Sequence, residues 1–312
     1  MDPVYRTIKD KLSRDVVILD GGIGSEIVRR GVRWRQHGLR TDADKVQAIH
    51  EDYIRAGADI ITTDTFQLTR RTYLNLFHNL EHMRRIGAPG LETQAETLAR
   101  KAVSLAQTAR QKEAAEGAVA IAGSVSPINH CFRPDLAPPR DEATQLHSET
   151  VRTLADAGVD LILLETMNTT AETQVALAAA KQTGIPVWVS FVLAPGGKQI
   201  LSGESIGDAV EMLESNGCDA VLVNCAPPED ITSGLEELLK VCRRPVGAYA
   251  HIGRYDPPSW KFDFHPQFVD TEACSPKAYA GFASRWKTMG AKIVGGCCGT
   301  TPDHTKAIKD AI

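Results

Sequence analysis

Ala220-Val221-Leu222-Val223-Asn224-Cys225 is a short, uninterrupted apolar run that stops on an amide and a thiol. An amphipathic helix would space its apolar residues three and four apart, and a half-exposed strand would alternate them. A continuous short run reads instead as a strand covered on both faces. The chain repeats this design. Val16–Leu19 closes on Asp20-Gly21-Gly22, Ile60–Thr63 follows a turn at Gly57, Ala118–Ala122 leads into Gly123-Ser124, and Leu161–Leu164 ends at Glu165. Val187–Phe191, Val246–Ala250 and Ile293-Val294, the last running into Gly295-Gly296-Cys297-Cys298, bring the candidate strands to eight.

The stretches between them read as helices over Asp44–Ala56, Glu92–Glu116, Asp141–Ala157, Ala171–Gln182, Ile206–Asn216, Ile231–Lys240 and Ser275–Met289. Ala56-Gly57, Ala157-Gly158, Asn216-Gly217 and Met289-Gly290 are glycine stops placed just before the next strand. Eight alternating units predict an α/β fold, a (β/α)8 TIM barrel spanning 1–312 as one domain. A doubly wound open sheet is the competing arrangement. In a barrel the loops after the strands form the catalytic face, and the irregular pieces His130–Arg140, Ala194–Ser205 and His251–Ala273 all follow strands.

Composition narrows the function classes. A net charge of -4 with 24% charged residues offers no basic surface for nucleic acid or anionic lipid. No apolar run is long enough to span a membrane, and Met1–Lys11 carries mixed charge without a signal-like apolar stretch, so a cytoplasmic location is expected. The sequence leaves the oligomeric state open.

Seven cysteines in 312 residues are too few and too odd for a disulfide scaffold. A buried cysteine is usually a small hydrophobe, and Cys131, Cys218, Cys242 and Cys274 are read that way or as surface residues. Cys225, Cys297 and Cys298 differ. They follow the sixth and eighth strands, and a barrel places both ends on one face. Glycines flanking a cysteine pair suit a packed strand poorly, and a disulfide between adjacent cysteines is strained. Three thiolates favour tetrahedral zinc, and three protein ligands leave a fourth position open to a substrate. A thiol placed there ionises near neutral pH yet remains electron-rich, as attack on an activated methyl carbon requires.

These residues resemble the homocysteine S-methyltransferases, and the resemblance covers essentially the whole chain. It is carried by Leu19–Glu26, Thr63-Asp64-Thr65-Phe66-Gln67, Gly123-Ser124-Val125, Leu164-Glu165-Thr166, Val223-Asn224-Cys225 and Gly295-Gly296-Cys297-Cys298-Gly299-Thr300-Thr301-Pro302. The last two motifs are the most specific. By this resemblance Cys225, Cys297 and Cys298 hold zinc, and Glu165 holds the homocysteine amino group. The turn that Asp20 begins, with Gly21 and Gly22, lies at the amino-acid end of the substrate, where backbone N–H groups suit a carboxylate. Thr63 contacts the same end. Asn224 orients Cys225 or donates a hydrogen bond nearby, with a structural role in the turn the alternative.

Gln67 matches the branch of the family that uses S-methylmethionine, although Phe66 replaces the tyrosine common before it. The Tyr255-Asp256-Pro257…Trp260 pattern also occurs in that branch. Tyr255, Trp260 and Phe66 are candidate faces for an onium cation, with plain packing the alternative. Folate, cobalamin and activation modules are absent, and a stand-alone enzyme with a small sulfonium donor is expected. The resemblance therefore implies zinc-dependent methyl transfer from S-methylmethionine or a related sulfonium to homocysteine, giving methionine. Rival readings are a betaine-type donor or another thiol acceptor, and a non-catalytic, zinc-stabilised barrel that binds a partner.

Overall fold

The computed structural model of the chain describes residues 3–32, 38–69, 90, 93–252, 254–255, 268–269 and 275–312, the two pairs at 254–255 and 268–269 by backbone alone. Eight parallel strands alternate with helices, as the apolar runs require: β1 Val17–Ile18, β2 Ile60–Thr62, β3 Ala120–Val125, β4 Leu161–Met167, β5 Val187–Val192, β6 Ala220–Asn224, β7 Val246–Ala250 and β8 Ile293–Gly296. Each strand pairs with its chain neighbour from β2 round to β8, and β8 returns to pair with β1. A single parallel bridge, Leu19 to Ile60, joins β1 to β2 and closes the barrel. The open-sheet alternative is thereby excluded.

The helices are α1 Pro3–Arg14, α2 Ile23–Arg29, α3 Gly38–Thr41, α4 Ala43–Ala56, α5 Ala95–Lys112, α6 Arg140–Ala157, α7 Thr170–Lys181, α8 Ile206–Asn216, α9 Pro228–Val241, α10 Pro276–Met289 and α11 Pro302–Ala311. Three expectations need correcting. Helix α9 starts at Pro228 rather than Ile231, because proline is preorganised for a first turn. Strand β4 continues through Glu165 to Met167, with its pairing to β5 shifted between Leu164 and Met167. Helix α1 was not anticipated. Its charges mask an apolar stripe of Tyr5, Ile8 and Leu12 that plugs one end of the barrel.

The core has two shells, which explains why the strands read as unbroken apolar runs. Leu161, Leu163, Trp188, Ala220, Leu222 and Ile293 pack inside the barrel with the α1 stripe, where the Trp188 indole N–H donates to the Tyr5 hydroxyl at 3.0 Å. Ile162, Leu164, Val189, Val221 and Val294 face outward into the helix layer. At the end of the barrel opposite the strand C-termini, three helix stops share one device. Asp59, Asp160 and Asp219 each come two residues after a left-handed glycine, Gly57, Gly158 and Gly217. Their carboxylates accept the backbone N–H of Ile18 (2.8 Å), Ile121 (2.6 Å) and Val187 (2.9 Å) on an adjacent strand. The recurrent Gly-x-Asp thus fastens strand to strand where the chain enters the sheet.

Candidate metal centre

At the C-terminal ends of β6 and β8 the three cysteines predicted from sequence converge. The sulfurs of Cys225, Cys297 and Cys298 all lie within 4.8 Å of one another, a group able to hold a metal ion. Tetrahedral zinc at ~2.3 Å from each sulfur demands sulfur–sulfur edges of about 3.8 Å. Cys225 and Cys298 stand 3.8 Å apart and meet that demand; Cys225 and Cys297, at 2.9 Å, would open by roughly 0.9 Å to reach the same edge. The donor set is all sulfur and leaves a fourth tetrahedral position, so the residues fit zinc. Hydrogen bonding from Cys225 and Cys297 draws the Cys298 thiol well below its ordinary range, while hydrogen bonding and burial hold the other two well above it.

Backbone bonds fix the cysteine loop. The Cys297 N–H donates to the Ala250 carbonyl at 2.9 Å, the Cys298 carbonyl accepts from Ile252 N–H at 3.1 Å, and the Gly299 N–H donates to Ser25 Oγ at 3.0 Å. The buried Tyr279 hydroxyl spans Ala250 and Gly295: it accepts the Ala250 N–H at 2.9 Å and donates its one proton to the Gly295 carbonyl at 2.7 Å. Glycine is needed at 295 because a Cβ there would sit 2.6 Å from the Cβ of Leu19. A Cβ on Gly22 would meet Ser25 Oγ and come within 2.8 Å of the Cys297 carbonyl, so the first turn can lie against the cysteine loop.

The other predicted residues gather on the same face. Glu165 is partly buried; the Ser124 hydroxyl donates to Oε1 and the Tyr249 hydroxyl to Oε2 at 3.5 Å. Burial, reinforced by nearby Cys298, pushes its carboxyl up to about 7 despite those hydrogen bonds. Asp20 is buried, and its carboxylate accepts the Thr62 N–H at 2.7 Å and the Thr62 hydroxyl at 3.1 Å; burial raises its pKa well above the usual carboxylate range. Thr63 Oγ1 accepts the Ser124 N–H at 3.1 Å and lies 2.7 Å from Thr65 Oγ1. Gly21 packs under Thr300 and Tyr53, and the Gly22 N–H donates to Thr300 Oγ1 at 3.3 Å. The Gln67 N–H donates to Ser126 Oγ at 2.9 Å and its amide to the Asn129 carbonyl at 3.3 Å, beside a half-buried Phe66.

Asn224 is fully buried and its amide is committed to protein groups. Oδ1 accepts from Ser190 Oγ at 2.7 Å and Thr166 N–H at 3.2 Å, while Nδ2 donates to Thr166 Oγ1 at 2.8 Å and lies 4.0 Å from Cys297 Sγ. Cys131, read as a packing residue, is buried at the same face; burial first and the charge of Cys298 second push its thiol far up. The Trp260 and Cys274 positions and the Tyr255 side chain lie outside the described residues.

One feature of the face is invisible in the sequence. Four described non-glycine residues lie in the left-handed region where a side chain is strained: away from this face Ala114, at φ 51° in the turn after α5, and on it Gln67, Thr166 and Cys225, at φ 54°, 57° and 54°. The last three follow or end β2, β4 and β6, and Gly299, at φ 85°, follows β8. All four of these positions therefore stand at or beyond the C-terminal ends of alternate strands, on one face of the barrel. Such strain persists where the surroundings impose it, and functional sites are where it collects. Sequence reasoning passed over Thr166, Ser124, Ser190, Tyr249 and Tyr279 as site residues, since their roles depend on partners far away in the chain.

The fold and the site together define a (β/α)8 barrel that gathers three cysteines at one face, a group able to hold a metal ion. The model of the homocysteine S-methyltransferase family matches residues 17–312, and the chain belongs to that family. It is 29% identical to the homocysteine S-methyltransferase of Escherichia coli strain K12, covering 97% of both chains. It is 28% identical to a selenocysteine Se-methyltransferase of Brassica oleracea var. italica, over 93% of this chain and 87% of the other. Among solved structures, the metallated form of the homocysteine methyltransferase MmuM from Escherichia coli superposes with a TM-score of 0.80 at 26% identity, covering all of both chains.

Proposed function

We propose that this protein transfers a methyl group from a small sulfonium donor, S-methylmethionine or a close relative, to the thiol of homocysteine. The observation that carries the reading is the convergence of Cys225, Cys297 and Cys298 within 4.8 Å at two strand ends. Those residues would hold zinc, which when bound supplies a deprotonated yet electron-rich thiolate at the fourth position. The new C–S bond then forms as the donor's S–CH3 bond breaks, and the donor leaves as a neutral thioether. A sulfonium is already activated, so no strong general acid is needed.

The chain's own residues do the positioning. Glu165, held by Ser124 and Tyr249, receives the substrate ammonium group. The turn at Asp20, Gly21 and Gly22 meets the carboxylate, with Asp20 holding the turn against Thr62 and with Thr63 beside it. Gln67 and Phe66 border the donor side. Holding both reactants in line contributes much of the rate enhancement. Among the described residues no helix is long and apolar enough to cross a membrane, and the six described cysteines are free.

Zinc content and product formation test the reading, with S-methylmethionine, a betaine and other onium donors offered against homocysteine and selenocysteine. Wild type should carry one zinc per chain and form methionine fastest from a sulfonium, and Cys225→Ser should lose both zinc and turnover. A metal-free Cys297→Ser variant with full activity would refute it.

A further inference from the structure

We propose that Asn224 is a positioning residue that holds the thiolate centre and the Glu165 carboxylate in one register; this rests on the metal-thiolate reading above. A primary amide has two donor hydrogens and a two-lone-pair acceptor, and here the whole capacity is spent. Toward β4, Asn224 grips Thr166 twice, accepting its N–H at 3.2 Å and donating to its Oγ1 at 2.8 Å. Toward β5, it accepts the Ser190 hydroxyl at 2.7 Å. Toward β8, its remaining N–H is directed at Cys297 Sγ, 4.0 Å away.

The grip on Thr166 has work to do. A β-branched residue at φ 57° is disfavoured by sterics, and this conformation directly follows Glu165, where the pairing of β4 with β5 is shifted. The two bonds from Asn224 hold Thr166 in that conformation, which sets the direction of the preceding side chain toward Ser124 and Tyr249. On the other side, Asn224 immediately precedes Cys225, itself at φ 54°. One amide therefore touches the strand that presents the carboxylate and the sulfur of one metal ligand, and adjoins a second ligand. An N–H aimed at a thiolate withdraws charge from it, so the same contact tunes the sulfur as well as placing it.

The test uses cobalt(II) as the probe, because thiolate-to-cobalt charge-transfer bands report the sulfurs without any turnover. Wild-type protein that takes up one cobalt(II) with such bands supports the parent reading; absence of the bands overturns the parent reading before Asn224 is considered. With bands in hand, Asn224→Asp replaces the donor facing Cys297 by an acceptor at constant size. The band positions should shift, cobalt(II) affinity should fall at least fivefold, and homocysteine Kd, read from the change in the bands, should rise about tenfold or more. Thr166→Ala removes one half of the grip only, so bands and cobalt(II) affinity should hold within twofold while homocysteine Kd rises. Thr166→Ser should restore that Kd, which a loss of packing alone would not allow. Asn224→Asp with wild-type bands and affinities overturns the proposal. If Asn224→Asp does not fold, the alanine and serine pair decides: a Thr166→Ala variant with wild-type homocysteine Kd overturns it equally.

Discussion

Replacing Glu165 by glutamine should remove a specific limb from the pH profile of the enzyme. In the substrate-free protein burial pushes this carboxyl up to about 7, even with Ser124 and Tyr249 donating to it. At pH 6 only about a tenth of molecules then carry the charge that would receive an ammonium group, and at pH 8 about nine-tenths do. The profile of kcat/KM reports ionisations of the free enzyme, so this contribution falls about tenfold per pH unit below about 7. A hydrogen bond to a charged group is worth about 1.5–3 kcal/mol, which places Glu165→Gln about 10- to 150-fold below wild type in kcat/KM at pH 8. Ionisation of the substrate thiol also bends each profile but cancels in their ratio. Wild type over variant should thus be flat above pH ~7 and decline toward unity below it. The assay is kcat/KM for homocysteine at saturating donor between pH 5.5 and 8.5. A ratio that is constant across that range would show that Glu165 does not meet the substrate as an anion, and the assignment would fall.

Two predictions concern stability. Asp64 is buried, its Oδ2 has no hydrogen-bond partner among the described residues, and burial alone raises its carboxyl from 3.8 to about 7. The folded state therefore binds this proton more tightly than the unfolded chain, so stability falls as pH rises from about 4 to about 7, by on the order of 4 kcal/mol. Asp64→Asn should abolish that fall, and the variant's urea-unfolding free energy should gain on wild type across the interval; a difference independent of pH contradicts the account. Gly295→Ala places a Cβ 2.6 Å from Leu19. Unfolding by urea should show a loss of about 1–3 kcal/mol, and an unchanged midpoint would mean that the β1–β8 approach is looser than described.

The eight-stranded barrel was legible in the sequence because parallel strands buried on both faces leave continuous apolar runs, and left-handed helix ends leave glycines. The convergence of the three cysteines was legible for a related reason. Once Cys225 and the Cys297-Cys298 pair are assigned to the ends of two strands, barrel closure alone brings them to one face. The plug formed by α1 was not legible, since its mixed charges conceal three apolar residues spaced for one helical face. The strained turns at Gln67, Thr166 and Cys225 left no compositional mark, because φ is set by what surrounds a residue when its type does not demand it. The destiny of the Asn224 amide and the elevation of Glu165 to about 7 belong wholly to tertiary structure. Hydrogen bonding and desolvation depend on which strands lie alongside, and those partners are 58 residues away for Thr166 and 41 for Ser124. Sequence determined which atoms could do chemistry and on which face of the barrel they stand; packing decided their direction, their protonation and what holds them there.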